Sequence, residues 1–289
     1  FVRINPACRQ NLAVHHAQYQ ELAEALSERK VSVGDAEEAL LAMKNPYDTI
    51  ALQAAGIGYR ADYAYHNGKY YVYFGIVPVL LLYLPYYLLT GGALQNYVAV
   101  FVFFAGFIIA AAGFVYELMK RDFKEQPFYL WAVGTGMLVG SYSMFYLLIR
   151  PDLYHVPIVA SAMFATVGLW LYLAGLNRPK KAVGLYAFGS FCMALTAGCR
   201  PQFILFAALA VVLFWERVFV KRELFSKKGW RQTAALVVPY VLIAAGLMAY
   251  NALRFGSPFD FGASYSMTSN DMTHRGTNLE RILYGIWYF

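Results

Sequence analysis

The sequence predicts an all-α membrane protein, a polytopic bundle of helices that cross a bilayer several times. Composition is the first reason: 60% of the 289 residues are hydrophobic and only 14% are charged, whereas soluble domains carry about a quarter charged residues. The second reason is the placement of Lys and Arg in short breaks between long apolar runs. The net charge of +7 therefore indicates membrane topology, and no nucleic-acid partner is expected.

Six apolar runs are long enough to be transmembrane helices, because about 20 residues cross about 30 Å of hydrocarbon. The predicted spans are residues 97–118, 128–149, 155–176, 183–199, 203–220 and 232–250. A single kinked passage over 183–220 would place Arg200 in mid-membrane, which is costly, so we prefer two spans there. The chain thus divides into a polar region (1–96), six helices (97–250) and a last loop with the start of a further helix (251–289).

The basic residues also predict an orientation. The breaks "KRDFK", "NRPKK" and "RVFVKRELFSKKGWR" hold 12 of the 24 Lys and Arg residues, so these breaks are expected in the cytoplasm. The breaks "RPDLYH" and "CRPQ" and everything after Arg254 then face outward. The first 72 residues are nearly neutral, so charge alone leaves open whether residues 73–90, which contain Pro78 and Pro85, cross the membrane.

The polar region before the spans contains helical patterns. In "HAQYQELAEALSERK" the residues Tyr19, Leu22, Ala23 and Leu26 recur at helical spacing, which predicts a short amphipathic helix. A helical turn or two follows and ends at Asn45-Pro46. We interpret the tyrosine-rich stretch "YHNGKYYVYFG", residues 65–75, as the lead-in to an apolar helix.

Cysteines and termini carry less information. Cys8, Cys192 and Cys199 match no metal-binding spacing and are interpreted as packing residues. The chain opens without Met and stops at "ILYGIWYF", so we expect a fragment that lacks at least one upstream span.

Three stretches resemble the GT-C superfamily of integral-membrane glycosyltransferases, in particular the branch of protein O-mannosyltransferases and the lipid A aminoarabinose transferase. They are "AQYQELAEAL" with Tyr19 and Ala23, "GKYYVYFGIVPVLLLYLPYYLLTG" with Gly68 and Tyr71, and "YNALRFGSPFDFG". The resemblance covers most of the chain in layout. It implies a GT-C-like helical bundle in the cytoplasmic membrane, in which the helix at 73–90 lies along the outer leaflet without crossing. Residues 1–96 and 251–289 are then extracytoplasmic.

The resemblance also implies a reaction and its partners. Such an enzyme transfers a sugar from a polyprenyl-phosphate donor to a glycan, lipid or protein acceptor at the outer face, among membrane lipids. The resemblance implies no definite cofactor, and it leaves open whether the reaction uses a divalent cation. Where the family carries an acidic pair before the first helix, this chain has His15-His16. Either the alignment slips here, or the catalytic base has moved, or the chain is an inactive relative.

Transfer to a hydroxyl needs a general base, and a cation should stabilise the leaving phosphate. The candidate bases are Asp62, which lies among aromatic residues, and Asp48, which could instead cap a turn after Pro46. The candidate donor-binding cations are at the outer ends of apolar runs, where each could equally be an interfacial anchor: Lys69, Arg150, Arg200 and Arg254.

Candidate contacts to the sugar or the acceptor are aromatic and polar side chains of the outer loops: Tyr65, Tyr70, Tyr71, His16 and Asp260. The competing interpretation is a flippase or transporter of a lipid-linked saccharide. That class should carry charged residues within its spans or repeated halves, and the sequence indicates neither.

Overall fold

The computed structural model describes residues 6–72, 74–141, 144–224, 226–227, 229–268, 271–273, 280, 284–285 and 287, with the main chain alone for residues 6–16. Helix dominates the described residues, and the strands are few and short. The predicted class, an all-α helical bundle of membrane type, is confirmed at this coarse level.

Eleven helices organise the described chain, with short 3₁₀ or π turns counted as part of the helix they continue. The first four are α1 (Pro6–Ser27), α2 (Glu38–Leu41), α3 (Thr49–Ala54) and α4 (Ile76–Thr90). The bundle follows with α5 (Asn96–Asp122), α6 (Tyr129–Ser141), α7 (Met144–Ile149), α8 (His155–Asn177), α9 (Pro179–Cys199), α10 (Pro201–Val220) and α11 (Trp230–Phe255). A further 3₁₀ turn covers Ala263–Tyr265.

Five of these helices, α5 and α8 to α11, are long and apolar enough to cross a membrane. They coincide with five of the six predicted spans. The sixth, residues 128–149, contains the two shorter helices α6 and α7, with residues 142–143 between them outside the described part. Whether these two helices form one passage stays a prediction.

Small residues bring the bundle helices together. In α8 and α9, the main chains approach so closely that a Cβ on Gly168 would lie 3.0 Å from the carbonyl oxygen of Gly189. Such small-residue contacts are typical of helices packed in a membrane. A hydroxyl network joins a third helix, because Tyr172 Oη of α8 lies 2.9 Å from Ser190 Oγ of α9 and 3.1 Å from Tyr240 Oη of α11.

Helix α4 is shorter than a membrane span. Its 15 residues extend about 22 Å, less than the hydrocarbon thickness, and it contains the prolines at 78 and 85 and a π-helical turn at Val79–Tyr83. One face packs against α1, where the rings of Tyr19 and Tyr83 meet edge to face at 5.4 Å. Tyr83 also donates a hydrogen bond of 2.7 Å to Asn96 Oδ1 at the start of α5.

The tyrosine-rich lead-in to α4 is a β-hairpin, which the sequence interpretation missed. Strands β2 (Ala64–His66) and β3 (Lys69–Tyr71) pair antiparallel, and β1 (Gly34–Asp35) adds to the other edge of β3. The turn is Asn67-Gly68, with φ of 49° and 77°. An Asn-Gly pair between two short strands is a strong hairpin signal, since both positions need positive φ.

The hairpin, the loop before α8, the α9–α10 break and the end of α11 lie at one end of the bundle, here called the sheet end. Long-range hydrogen bonds place them together: Tyr19 Oη donates to the carbonyl oxygen of Leu153 (3.1 Å), and Asp62 N donates to that of Met267 (2.9 Å). Helix α1 lays Tyr19, Leu22 and Ala23 into this core with no exposed surface, as their spacing predicted.

The opposite end of the bundle, here called the basic end, carries the three Lys- and Arg-rich breaks, which hold half of the Lys and Arg residues. Glu117 of α5 is buried there and accepts hydrogen bonds from Asn177 Nδ2 (2.9 Å) and Arg178 Nη2. Arg217 of α10 donates to Tyr186 Oη (3.0 Å). The buried carboxylate is thus compensated at a helix end, away from mid-membrane.

Gly75, at the N-terminus of α4, is expected to resist substitution. It has a φ of +81°, and a Cβ there would lie 2.6 Å from Tyr19 Oη. We expect Gly75→Ala to lower the thermal unfolding midpoint clearly, by strain of about 1–2 kcal/mol in the left-handed backbone plus the clash. Gly91→Ala is the matched control, because Gly91 has a φ of +67° but open space around it. Equal midpoints for the two variants would show that the Tyr19 contact is unimportant.

Candidate functional site

The candidate site lies at the sheet end, where Val72, Phe74 and Gly75 connect the hairpin to α4. Gly75 N donates a hydrogen bond of 3.1 Å to the carbonyl oxygen of Cys199 at the end of α9. The ring of Phe74 stacks on Tyr154, with centroids 5.5 Å apart. This connection therefore contacts the start of α8 and the end of α9. Two of the predicted cations, Arg200 and Arg254, also contact it.

Arg200 is the first of these cations. It follows the last residue of α9 and precedes Pro201, so it stands at the break between α9 and α10. Its guanidinium carbon lies 5.3 Å from the ring centre of Phe74 and 6.0 Å from that of Tyr154. Within the described part of the chain, its side chain has no hydrogen bond or ion pair. A half-buried guanidinium thus keeps its N–H donors unused while its planar face rests on aromatic rings.

Arg254, in the last turn of α11, is in a different state. It is 4% exposed, and its Nη atoms donate hydrogen bonds of 2.7 Å to the carbonyl oxygen of Val72 and to Asn251 Oδ1. Its guanidinium carbon lies 4.0 Å from the ring centre of Tyr250. The negative end of the α11 dipole also favours a cation there. Two of its five N–H donors are therefore used, one of them to hold α11 against the residue that follows the hairpin, while Nε is buried and has no partner among the described residues.

The other two predicted cations do not join them in the structure. Arg150 is exposed after α7, and its carbonyl oxygen accepts from Asp152 N at 2.9 Å. Lys69 is exposed on β3, opposite Asp35 and His66 in the sheet register. Lys69 borders a polar cavity of about 410 Å³ whose charged lining residues also include Glu21, Glu24, Glu28, Lys30 and Asp35.

The two predicted bases, Asp48 and Asp62, have different surroundings in the structure. Asp48 is the N-cap of α3, and its side chain accepts a hydrogen bond of 3.0 Å from Ala51 N, which is the ordinary role of Asp at a helix start. Asp62 is half-buried, with a φ of +61°, in the turn two residues before β2. Its carbonyl oxygen faces Gln18 Nε2 at 3.5 Å, and the next residue of α1, Tyr19, binds the loop that leads to Tyr154.

The predicted sugar-contacting tyrosines are packed inside the sheet end. Tyr65, Tyr70 and Tyr71 are 4–6% exposed, and burial raises the pKa of each of the three hydroxyls. Burial likewise raises the pKa of the neighbouring Tyr47 to about 12, and Tyr47 Oη donates to the carbonyl oxygen of Tyr65 at 2.8 Å. These groups stay protonated at neutral pH and support the site as its aromatic core.

The last two predicted contacts, Asp260 and His16, give little further support for a binding role. Asp260 accepts a hydrogen bond of 2.8 Å from Gly262 N and so closes a turn after α11. The side chain of His16 lies outside the described residues. For metal binding, the described His, Cys, Asp and Glu side chains contain no group of three or more that could hold an ion.

One pair that sequence reasoning passed over flanks Tyr154, one of the two rings near Arg200. His155 Nδ1 lies 3.3 Å from Asp152 Oδ1 and contacts the carbonyl oxygen of Arg150. Two oxygen atoms therefore face the same ring nitrogen and fix the orientation of the imidazole. The signal in the sequence was Asp and His three residues apart in "RPDLYH", directly before a span. The pair also has a structural role, because Asp152 Oδ1 accepts from Tyr154 N at 3.2 Å.

Fold and site together define a class: a multi-span helical membrane protein with an aromatic, cation-bearing junction at one end of its bundle. No protein family, curated protein or solved structure matches the chain.

Proposed function

We propose that the protein is a membrane glycosyltransferase of GT-C type, which transfers a sugar from a polyprenyl-phosphate donor to an acceptor hydroxyl at the extracytoplasmic face of the cytoplasmic membrane. The observation that carries the proposal is Arg200. A guanidinium that lies over the rings of Phe74 and Tyr154 and has no hydrogen bond to a described residue, at the end of apolar helices, suits the phosphate of a lipid whose chain stays in the bilayer.

In the proposed reaction the acceptor oxygen attacks C1 of the sugar as the bond from C1 to the phosphate oxygen breaks. The electron pair of that bond leaves with the polyprenyl phosphate, whose growing negative charge Arg200 stabilises. The proton of the acceptor hydroxyl passes to a general base. Attack opposite the leaving group inverts the configuration at C1.

Asp62 is the proposed base, in preference to Asp48. The carboxylate of Asp48 caps the N-terminus of α3. The main chain of Asp62 is connected to the loop before α8 through two consecutive residues of α1. Gln18 contacts the main chain of Asp62, and Tyr19 contacts that of Leu153, next to Tyr154.

Transfer of labelled sugar from a panel of polyprenyl-phosphate donors tests this proposal. The protein is reconstituted in liposomes and compared with Asp62→Asn and Asp48→Asn. We expect Asp62→Asn to lower the turnover rate about 100-fold or more, the usual contribution of a general base. Asp48→Asn should keep the rate, because Asn is as good an N-cap as Asp.

Each other outcome has a defined meaning. Full transfer by Asp62→Asn overturns the base assignment and directs attention to His155. Absence of transfer with every donor, together with movement of the lipid-linked saccharide across the liposome membrane, contradicts the transferase and supports the flippase.

A further inference from the structure

A groove between α9 and α11 opens on the outside of the bundle at the basic end. Its volume is about 520 Å³, within the range of about 300–1,000 Å³ that small-molecule sites occupy. The walls are apolar and include Val183 and Ala187 of α9 and Ala234 and Val238 of α11. The alanines leave the depression, since larger side chains at these positions would fill the space between the two helices.

The mouth of the groove is aromatic and cationic. Trp230 and Arg231, the first residues of α11, line it, and the Arg231 guanidinium carbon lies 5.8 Å from the Trp230 ring centre. Lys180 and Lys181 precede Val183 by two or three residues in the first turn of α9. Arg231 and these two lysines form no ion pair with a described residue. Arg231 thus lines the mouth of an apolar channel, and the two lysines lie in the helical turn that leads to Val183 in its wall.

Charge complementarity selects the occupant. An apolar channel alone would accept any hydrocarbon chain, but a chain whose headgroup reaches Arg231 and the lysines must carry negative charge there. Basic pockets between transmembrane helices bind anionic lipid headgroups, and Trp prefers the level of the headgroups. Soluble anions would use the cations but leave the channel unfilled.

We propose that this groove binds an anionic phospholipid, with an acyl chain against Ala187 and Ala234 and the phosphate at Arg231. The site lies at the opposite end of the bundle from Arg200, so it is separate from the donor site of the proposed reaction. The bound lipid fills the space between α9 and α11 and holds the exposed first turn of α11 in place.

Fluorescence quenching in nanodiscs tests the proposal without any transfer assay. The protein is placed in phosphatidylcholine discs that contain increasing fractions of phosphatidylglycerol or phosphatidylcholine with a doxyl group high on the chain. The Trp230 contribution is obtained by difference from Trp230→Phe. We expect phosphatidylglycerol to quench Trp230 at a several-fold lower mole fraction than labelled phosphatidylcholine does.

Two variants locate the effect. Arg231→Gln should weaken the phosphatidylglycerol preference about fivefold, which corresponds to about 1 kcal/mol for one basic side chain near a headgroup. Lys124→Gln is the matched control: it removes one exposed charge at the same end, in the loop after α5, and should leave the preference unchanged. Salt should weaken the preference, because exposed charges are screened.

Three results would overturn the proposal. One is equal quenching by the two labelled lipids in the unmodified protein. Another is a phosphatidylglycerol preference that Arg231→Gln retains in full. The last is loss of quenching when inorganic phosphate replaces chloride at constant ionic strength, which would place a free anion at the mouth instead of a lipid.

Discussion

Replacement of Arg200 by Gln is expected to lower the rate of sugar transfer about 100-fold to 1,000-fold, the loss that follows removal of a preorganised group that stabilises developing charge. The guanidinium of Arg200 is half-buried on Phe74 and Tyr154, so water reaches it less than it reaches a surface cation. An interaction with phosphate there is correspondingly stronger. The measurement is the turnover rate with a saturating lipid-linked donor in liposomes.

Graded variants separate charge from geometry at this position. Arg200→Lys should recover part of the rate, because an ammonium keeps the charge but lacks the planar fork that binds two phosphate oxygens. Arg150→Gln is the surface control and should stay close to the unmodified rate, since Arg150 is exposed. Thermal stability should change little in Arg200→Gln because no hydrogen bond to a described residue is lost. An unaltered transfer rate in Arg200→Gln would rule out Arg200 as the phosphate ligand.

Arg254→Met is expected to show the opposite behaviour, a large loss of stability. Two charge-assisted hydrogen bonds disappear, to Val72 and to Asn251, and their acceptors remain buried. Such bonds contribute about 1.5–3 kcal/mol each, so we expect the unfolding free energy to fall by about 3 kcal/mol or more. The thermal midpoint in detergent should fall by roughly 5–10 °C.

The comparison with Arg150→Gln makes this test specific. The Arg150 side chain is exposed and holds no part of the hairpin, so the control should melt close to the unmodified protein. Arg254→Lys should recover less than half of the loss, because one ammonium group cannot span both acceptors with the guanidinium geometry. A midpoint for Arg254→Met within a degree or so of the unmodified protein would contradict the assigned structural role.

Arg200 and Arg254 show what the sequence could and could not predict about the site. Each precedes or ends an apolar run, and each was predicted to contact the donor phosphate. Their sequence surroundings do not differ in a way that reveals their roles. Only the fold shows that Arg254 binds Val72, 182 positions away along the chain, while Arg200 rests on Phe74 and Tyr154. The donor assignments stay predictions, and the structure changes their order of priority.

The tyrosines of residues 65–75 make the same point about burial. Their composition suggested an interface with lipid and sugar. The sequence did contain the local signal for the hairpin, Asn67-Gly68, but the signal was not used. The burial of Tyr65, Tyr70 and Tyr71 was beyond local reasoning, because it depends on α1, β1 and the residues after α11, which come from distant parts of the chain.

The sequence by itself determined that the long helices are suited to a lipid environment. It also determined the number of these helices to within one and their bounds to within a few residues. The physical reason is that a helix in hydrocarbon needs a long apolar run and must form its main-chain hydrogen bonds within itself. Such a run consists of consecutive residues and can be recognised from the sequence alone. It also determined the amphipathic face of α1, since Tyr19, Leu22 and Ala23 recur with the helical period. Tertiary structure alone decided which of the predicted cations bond to other described residues and which polar groups meet at the sheet end. Those properties arise from contacts between residues far apart in the chain, and no periodicity records them.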